Sequence, residues 1–120
     1  MTVSVVKTTK GKTFGGFTAR SWDSSSGYKQ DPQAFLFSLD LQAIYPITDH
    51  TKSINCSSGY GPIFGAGHDL KLYNAFNSNS NYANPPSSYN QPKTASGYSV
   101  MNDGECNFTC VEVEVYLISV

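Results

Sequence analysis

The stretch Val111-Glu112-Val113-Glu114-Val115-Tyr116-Leu117 alternates strictly between two kinds of side chain, a period that suits a strand buried on one face and excludes an amphipathic helix. The register predicts Val111, Val113, Val115 and Leu117 on the covered face and Glu112, Glu114 and Tyr116 on the solvent face. Similar short runs occur at 3–9, 13–20, 44–47, 53–58 and 68–74, separated by Gly, Pro, Asn and Ser. Ala34-Phe35-Leu36-Phe37-Ser38-Leu39 is apolar on both faces and follows the turn-forming Asp31-Pro32, which predicts a well-covered central strand. Many strands joined by turn residues predict a mainly β domain, a sandwich or a barrel, with little helix.

A chain of 120 residues with 39% apolar residues suffices for one domain over 1–120 with one core. It contains no run of about 18 apolar residues, so no membrane insertion is expected. Met1-Thr2-Val3-Ser4-Val5-Val6-Lys7 lacks the order of a signal peptide, which with the cysteines below points to a cytoplasmic location. A net charge of −1 without a Lys/Arg cluster argues against nucleic acid as partner. On one strand, Cys106 and Cys110 would lie about 13 Å apart at about 3.4 Å per residue, too far for a disulfide. Free thiols in a reducing compartment are therefore expected, and Asn55-Cys56-Ser57 and Asn107-Phe108-Thr109 are chance glycosylation sequons. The C-x3-C spacing lacks a second ligand pair, so neither a metal nor a cofactor is expected.

Several residues invite a chemical reading. His68 beside Asp69, with Cys56 nearby in sequence, has the residue types of a nucleophile, a base and an orienting acid. Neighbours on a regular strand point to opposite faces, however, and His68 shares a face with Leu70 and Leu72. An inward structural histidine is the expected reading, and a triad would need a turn there. His50 lies in the polar turn Thr48-Asp49-His50-Thr51-Lys52 as a solvated side chain. Trp22 suits a core anchor or a binding hot spot, and Asp23 before three serines suits a turn cap. Gly59-Tyr60-Gly61-Pro62 and Gly65-Ala66-Gly67 precede no helix, so they read as turns that shape a surface and not as phosphate loops. The stretch 74–92, rich in Asn, Ser, Pro and Tyr, reads as a functional surface loop or a solvated insertion pinned by aromatics such as Tyr82 and Tyr89. Glu112 and Glu114 form either an acidic stripe for a basic partner or an ordinary solvated face.

In order, the clusters Lys10-Gly11-Lys12-Thr13-Phe14-Gly15-Gly16-Phe17-Thr18, Ser21-Trp22-Asp23-Ser24-Ser25-Ser26-Gly27-Tyr28 and Asp31-Pro32-Gln33-Ala34-Phe35-Leu36-Phe37-Ser38-Leu39 resemble the TLDc domain of the oxidation-resistance and nuclear-receptor-coactivator-like proteins. So do Ser57-Ser58-Gly59-Tyr60-Gly61-Pro62-Ile63-Phe64-Gly65-Ala66-Gly67-His68-Asp69-Leu70, Asn84-Pro85-Pro86-Ser87-Ser88-Tyr89 and Val111-Glu112-Val113-Glu114-Val115-Tyr116. The resemblance is to the later part of the domain, without its helical N-terminal part, and the Asn/Ser-rich composition is closer to protist forms. It implies an antiparallel β-sandwich without an established active site, whose apolar faces would be exposed where covering helices are missing. Ala66 stands where the family usually shows glycine, which is tolerable if its φ is negative.

By resemblance the chain is expected to be a non-enzymatic interaction module. Its expected partner is a protein, such as the soluble sector of the vacuolar proton-pumping ATPase, with a link to oxidative-stress resistance. Trp22, Asp23, Tyr60, Gly65, Gly67, His68, Asp69, Tyr82, Tyr89, Glu112 and Glu114 are the candidate binding residues, taken from family motifs and expected exposed surface. Two alternatives stay open: a structural component of a larger cytoskeletal or multi-domain complex, and a thiol-based protective enzyme using Cys56, Cys106 or Cys110.

Overall fold

The period-two runs form two antiparallel sheets packed face to face in a computed structural model that describes residues 1–22, 27–56, 60–73, 81–84 and 87–118. In chain order the strands are β1 (Thr2–Thr8), β2 (Thr13–Thr18), β3 (Gly27–Lys29), β4 (Phe35–Ser38), β5 (Ala43–Pro46) and β6 (Ile54–Cys56). They continue with β7 (Tyr60–Phe64), β8 (Leu70–Tyr73), β9 (Asn81–Tyr82), β10 (Asn107–Phe108) and β11 (Cys110–Leu117). One sheet has the order β11-β1-β2-β4-β5 and the other β10-β9-β8-β7-β6-β3. The sandwich expected from the family resemblance is the architecture found.

The register explains what each sheet buries. Val6 pairs with Phe14 and with Val113, Phe14 with Ser38, and Leu36 with Tyr45. Directly paired residues share a face, so these side chains form the inner layer of the five-stranded sheet. The other sheet contributes Ile54, Phe64, Leu70, Leu72 and Phe108, and the two layers close one core. Phe14 meets Phe108 edge-on at 5.1 Å, and Trp22 meets Phe64 at 5.4 Å. The Trp22 Nε1–H donates to Thr2 Oγ1 at 3.0 Å, so this indole serves as a core anchor at the rim.

Gly15 and Gly16 let rings press onto both faces of β2. A Cβ on Gly16 would come within 2.6 Å of the Phe64 ring, and one on Gly15 within 3.0 Å of Phe37. On the outer face Phe17 stacks on Phe35 at 5.1 Å. Phe37 is buried and Phe35 half-buried, as expected for a strand apolar on both sides, whereas Ile44 beside them is 66% exposed. A shallow apolar groove runs between Val3, Phe35, Phe37, Leu39 and Ile44.

Four features differ from the sequence reading. Tyr60-Gly61-Pro62 is not a turn but the start of β7; an irregular register between Tyr60 and Ile63 accommodates a proline that cannot donate to the ladder. The expected strand over 68–74 begins only at Leu70, because His68 has φ +56 and belongs to the preceding turn. Within 74–92, Asn81 and Tyr82 form a strand, and Asn81, Ser88 and Tyr89 are buried, so the described part of this stretch is packed against the body. Finally, Val111, Val115 and Leu117 are exposed at 58%, 51% and 82%. Only Cys110 and Val113 of β11 reach the core, and Val115 and Leu117 further along the strand stay exposed.

Candidate functional site

Apart from Trp22 at the rim of the core, the candidate residues resolve into three separate places, with Asp23 lying outside the described residues. The first is a buried carboxylate hub. After β7 the chain reverses through the turn 65–69, in which Gly65 adopts φ +91 and His68 φ +56. Asp69 then enters the interior with no exposed surface. Its Oδ2 accepts the main-chain N–H groups of Ser87, Ser88 and Tyr89 at 2.8, 3.0 and 3.1 Å, and its Oδ1 accepts the Ser87 hydroxyl at 2.7 Å. Ser87 Oγ in turn accepts the Gly67 N–H, and Ser88 Oγ the Ala66 N–H, both at 2.9 Å. Gly65 is required because a Cβ there would overlap Oδ1 and lie 2.7 Å from Cγ of Asp69. Ala66 is not among the residues of positive φ, so its methyl group is tolerated.

The hub brings Gly65, Gly67, Asp69 and Tyr89 together, but as a clamp on segment 87–89. Tyr89 is not an exposed contact: it is buried, and its hydroxyl donates to the Ser53 carbonyl at 2.6 Å. Burial pushes the phenol pKa far up, with the Asp69 and Asp31 charges adding to the effect. His68 is neither inward in a strand nor aligned with Asp69, whose oxygens are committed to 87–89. Partial burial holds its imidazole below the ordinary 6.5; Lys71 adds to that shift and Asp69 opposes it.

That shift has a testable consequence. Above about pH 6.5 the imidazole is neutral in both states, and the stability is fully present. As the pH falls below that value the unfolded chain takes up a proton that the folded chain resists, so stability declines until the lower folded value is passed. The thermal midpoint should drop between pH 7.5 and 5.5, and His68→Asn, whose side chain tolerates the left-handed backbone, should reduce that drop. Differential scanning fluorimetry of both proteins checks it.

The second place is a tyrosine box on the outer face of the six-stranded sheet. Tyr60 pairs with Tyr73, and Lys71 with Tyr82, so four side chains share one face. Lys71 is only 7% exposed, and its Nζ lies 4.2 Å from the Tyr60 ring centre, 4.9 Å from Tyr73 and 5.3 Å from Tyr82. Tyr60 and Tyr73 are nearly perpendicular, as are Tyr73 and Tyr82. A hydrogen bond with Tyr73 raises the Tyr82 pKa, and the Lys71 charge opposes that rise. A desolvated ammonium facing aromatic rings is held by about 2 kcal/mol or more. Lys71→Met, which keeps the length and loses the charge, should cost about 1–2 kcal/mol in urea unfolding, the sulfur recovering part of the contact.

Lys71, Tyr73, Ser87 and Ser88 are not among the candidate binding residues read from the sequence. The i, i+2 spacing of Lys71 and Tyr73 carries a signal for the box; nothing local marks the two serines as partners of Asp69.

The third place is β11, where Glu112 and Glu114 lie on the outer face beside Lys7 and Val5. The Tyr116 hydroxyl donates to Glu114 Oε2. Both glutamates are exposed.

The thiols are free and scattered. Cys56 donates to the Ser21 carbonyl at 3.7 Å and Cys106 to Asn84 Oδ1 at 3.3 Å. Burial raises the Cys106 pKa and pushes Cys110 up to about 11, which disfavours the nucleophilic thiolate. Among the described residues no cluster of three or more His, Cys, Asp or Glu could hold a metal, and no helix is long and apolar enough to cross a membrane. His50 is exposed, with Nδ1 3.0 Å from Gln30 Nε2.

Compared with known proteins, residues 1–119 match the model of one family, described as TLDc domain. No curated protein matches the chain.

Proposed function

Because the chain belongs to the TLDc domain family, we propose that it is a non-enzymatic protein-interaction module that binds and regulates a large cytoplasmic assembly, and that it is associated with oxidative-stress resistance. The soluble sector of the vacuolar proton-pumping ATPase is the assembly we favour. One observation carries the reading: the five-stranded sheet ends at one edge in the acidic strand β11, where Val115 and Leu117 are exposed, while at its other edge Ile44 of β5 and Leu39 and Leu41 of the β4–β5 turn are exposed. Exposed apolar surface beside charge suits recognition. Of the groups that could do chemistry, Asp69 clamps 87–89 and burial raises the pKa of the Cys106 and Cys110 thiols.

Co-sedimentation of the purified chain with that soluble sector, with ATP hydrolysis followed in the same samples, tests the reading. Saturable binding with an altered hydrolysis rate is expected. Absence of binding by a folded chain would remove the ATPase as partner. The same exposed apolar faces also favour a second reading, a structural component completed by its neighbours in a larger complex. Marked aggregation of the isolated chain would favour that second reading.

A further inference from the structure

From the edge formed by β11 we infer a strand-addition site for an extended cationic segment of a partner protein, one in which Lys or Arg alternates with apolar residues. The inference rests on the interaction-module reading and specifies its partner chemistry. β11 is the outermost strand of its sheet and, among the described residues, pairs only with β1. An outer strand presents a row of main-chain donors and acceptors that another strand can take up, and proteins usually block such rows.

The other edges are blocked or short. On β5 the Pro46 carbonyl accepts the Asn90 N–H, and just beyond it the Thr48 N–H donates to Ser88. β3 has three residues and β10 two. β11 has eight, with no proline or lysine among them and its one irregularity near Cys110. Its two faces present different chemistries: exposed Val115 and Leu117 next to Val113 on one side, and Glu112 with Glu114 on the outer side.

That pattern selects the occupant. A second copy pairing antiparallel along the whole strand would place Glu112 opposite Glu114, or Glu114 opposite itself, and like charges in cross-strand positions repel. A neutral strand would crowd the two glutamates and add no cation to Lys7, which lies opposite Glu112 on β1. A strand with Lys or Arg at every second position sets cations opposite Glu112 and Glu114, while its apolar residues lie against Val113, Val115 and Leu117.

The test adds two capped peptides to the intact chain, one alternating valine with lysine and the other valine with glutamate. The lysine peptide is expected to bind about tenfold or more tighter, to lose that advantage at high salt, and to slow amide hydrogen exchange over 111–117. The double variant Glu112→Lys/Glu114→Lys, with circular dichroism as the check on folding, should reverse the preference. Equal binding of the two peptides, no binding, binding without slowed exchange over 111–117, or self-association through that strand would overturn the inference. Its failure while co-sedimentation persists removes strand addition alone; its success while co-sedimentation fails removes only the ATPase.

Discussion

Asp69→Ala is expected to lower the free energy of unfolding by about 3 kcal/mol, because it leaves the buried N–H groups of Ser88 and Tyr89, at about 1–3 kcal/mol each, and the part-buried N–H of Ser87 without an acceptor. A domain of this size has roughly 5–15 kcal/mol in total, so a loss of about 3 kcal/mol removes about a fifth to more than half of it. Asp69→Asn separates geometry from charge. Its amide oxygen can serve the same three N–H groups while the amide nitrogen donates to Ser87 Oγ, which is able to accept. Only the charge-assisted part is lost, about 1 kcal/mol. Urea unfolding of the two variants should rank alanine far below asparagine; equal losses would mean that the negative charge, and not the acceptor geometry, holds the clamp.

Gly15→Ala should be comparably damaging, at about 3 kcal/mol, although a single methyl group is added. The new Cβ would overlap the Ser4 carbonyl oxygen and sit 2.9 Å from its carbon, which is main chain of the adjacent strand and cannot rotate away. β1 must then separate from β2, and β11, which is held by β1, loses its support. Gly61→Ala provides the control in the other sheet: its Cβ would lie 3.4 Å from the nearest atom, an ordinary contact. Thermal unfolding should show a large fall for the first variant and a small change for the second.

Much of the strand pattern was legible locally. The alternation over 111–117 marked β11, the doubly apolar 34–39 marked β4, and Gly65 marked the turn before β8. Two-residue periodicity and positive φ are properties of a chain and its neighbours in sequence. β3, β9 and β10, at two or three residues each, are too short to show a period, and β7 carries Gly61 and Pro62, which read as turn residues. Of the candidate site, Gly65 and Asp69 were recognised as important, but as surface. Their partner segment lies about twenty positions along the chain, and no local pattern encodes that pairing.

The residue types alone determined that this chain folds as short β-strands and which side chains of each strand share a face, because backbone geometry sets that period without reference to the rest of the molecule. Tertiary structure decided which of those faces are covered. Identical alternation in β11 puts Val113 against the core and Val115 in solvent, since burial depends on how far the opposite sheet extends. It likewise decided that Asp69 points at three N–H groups and Lys71 at three rings, pairings set by where separate strands meet in space.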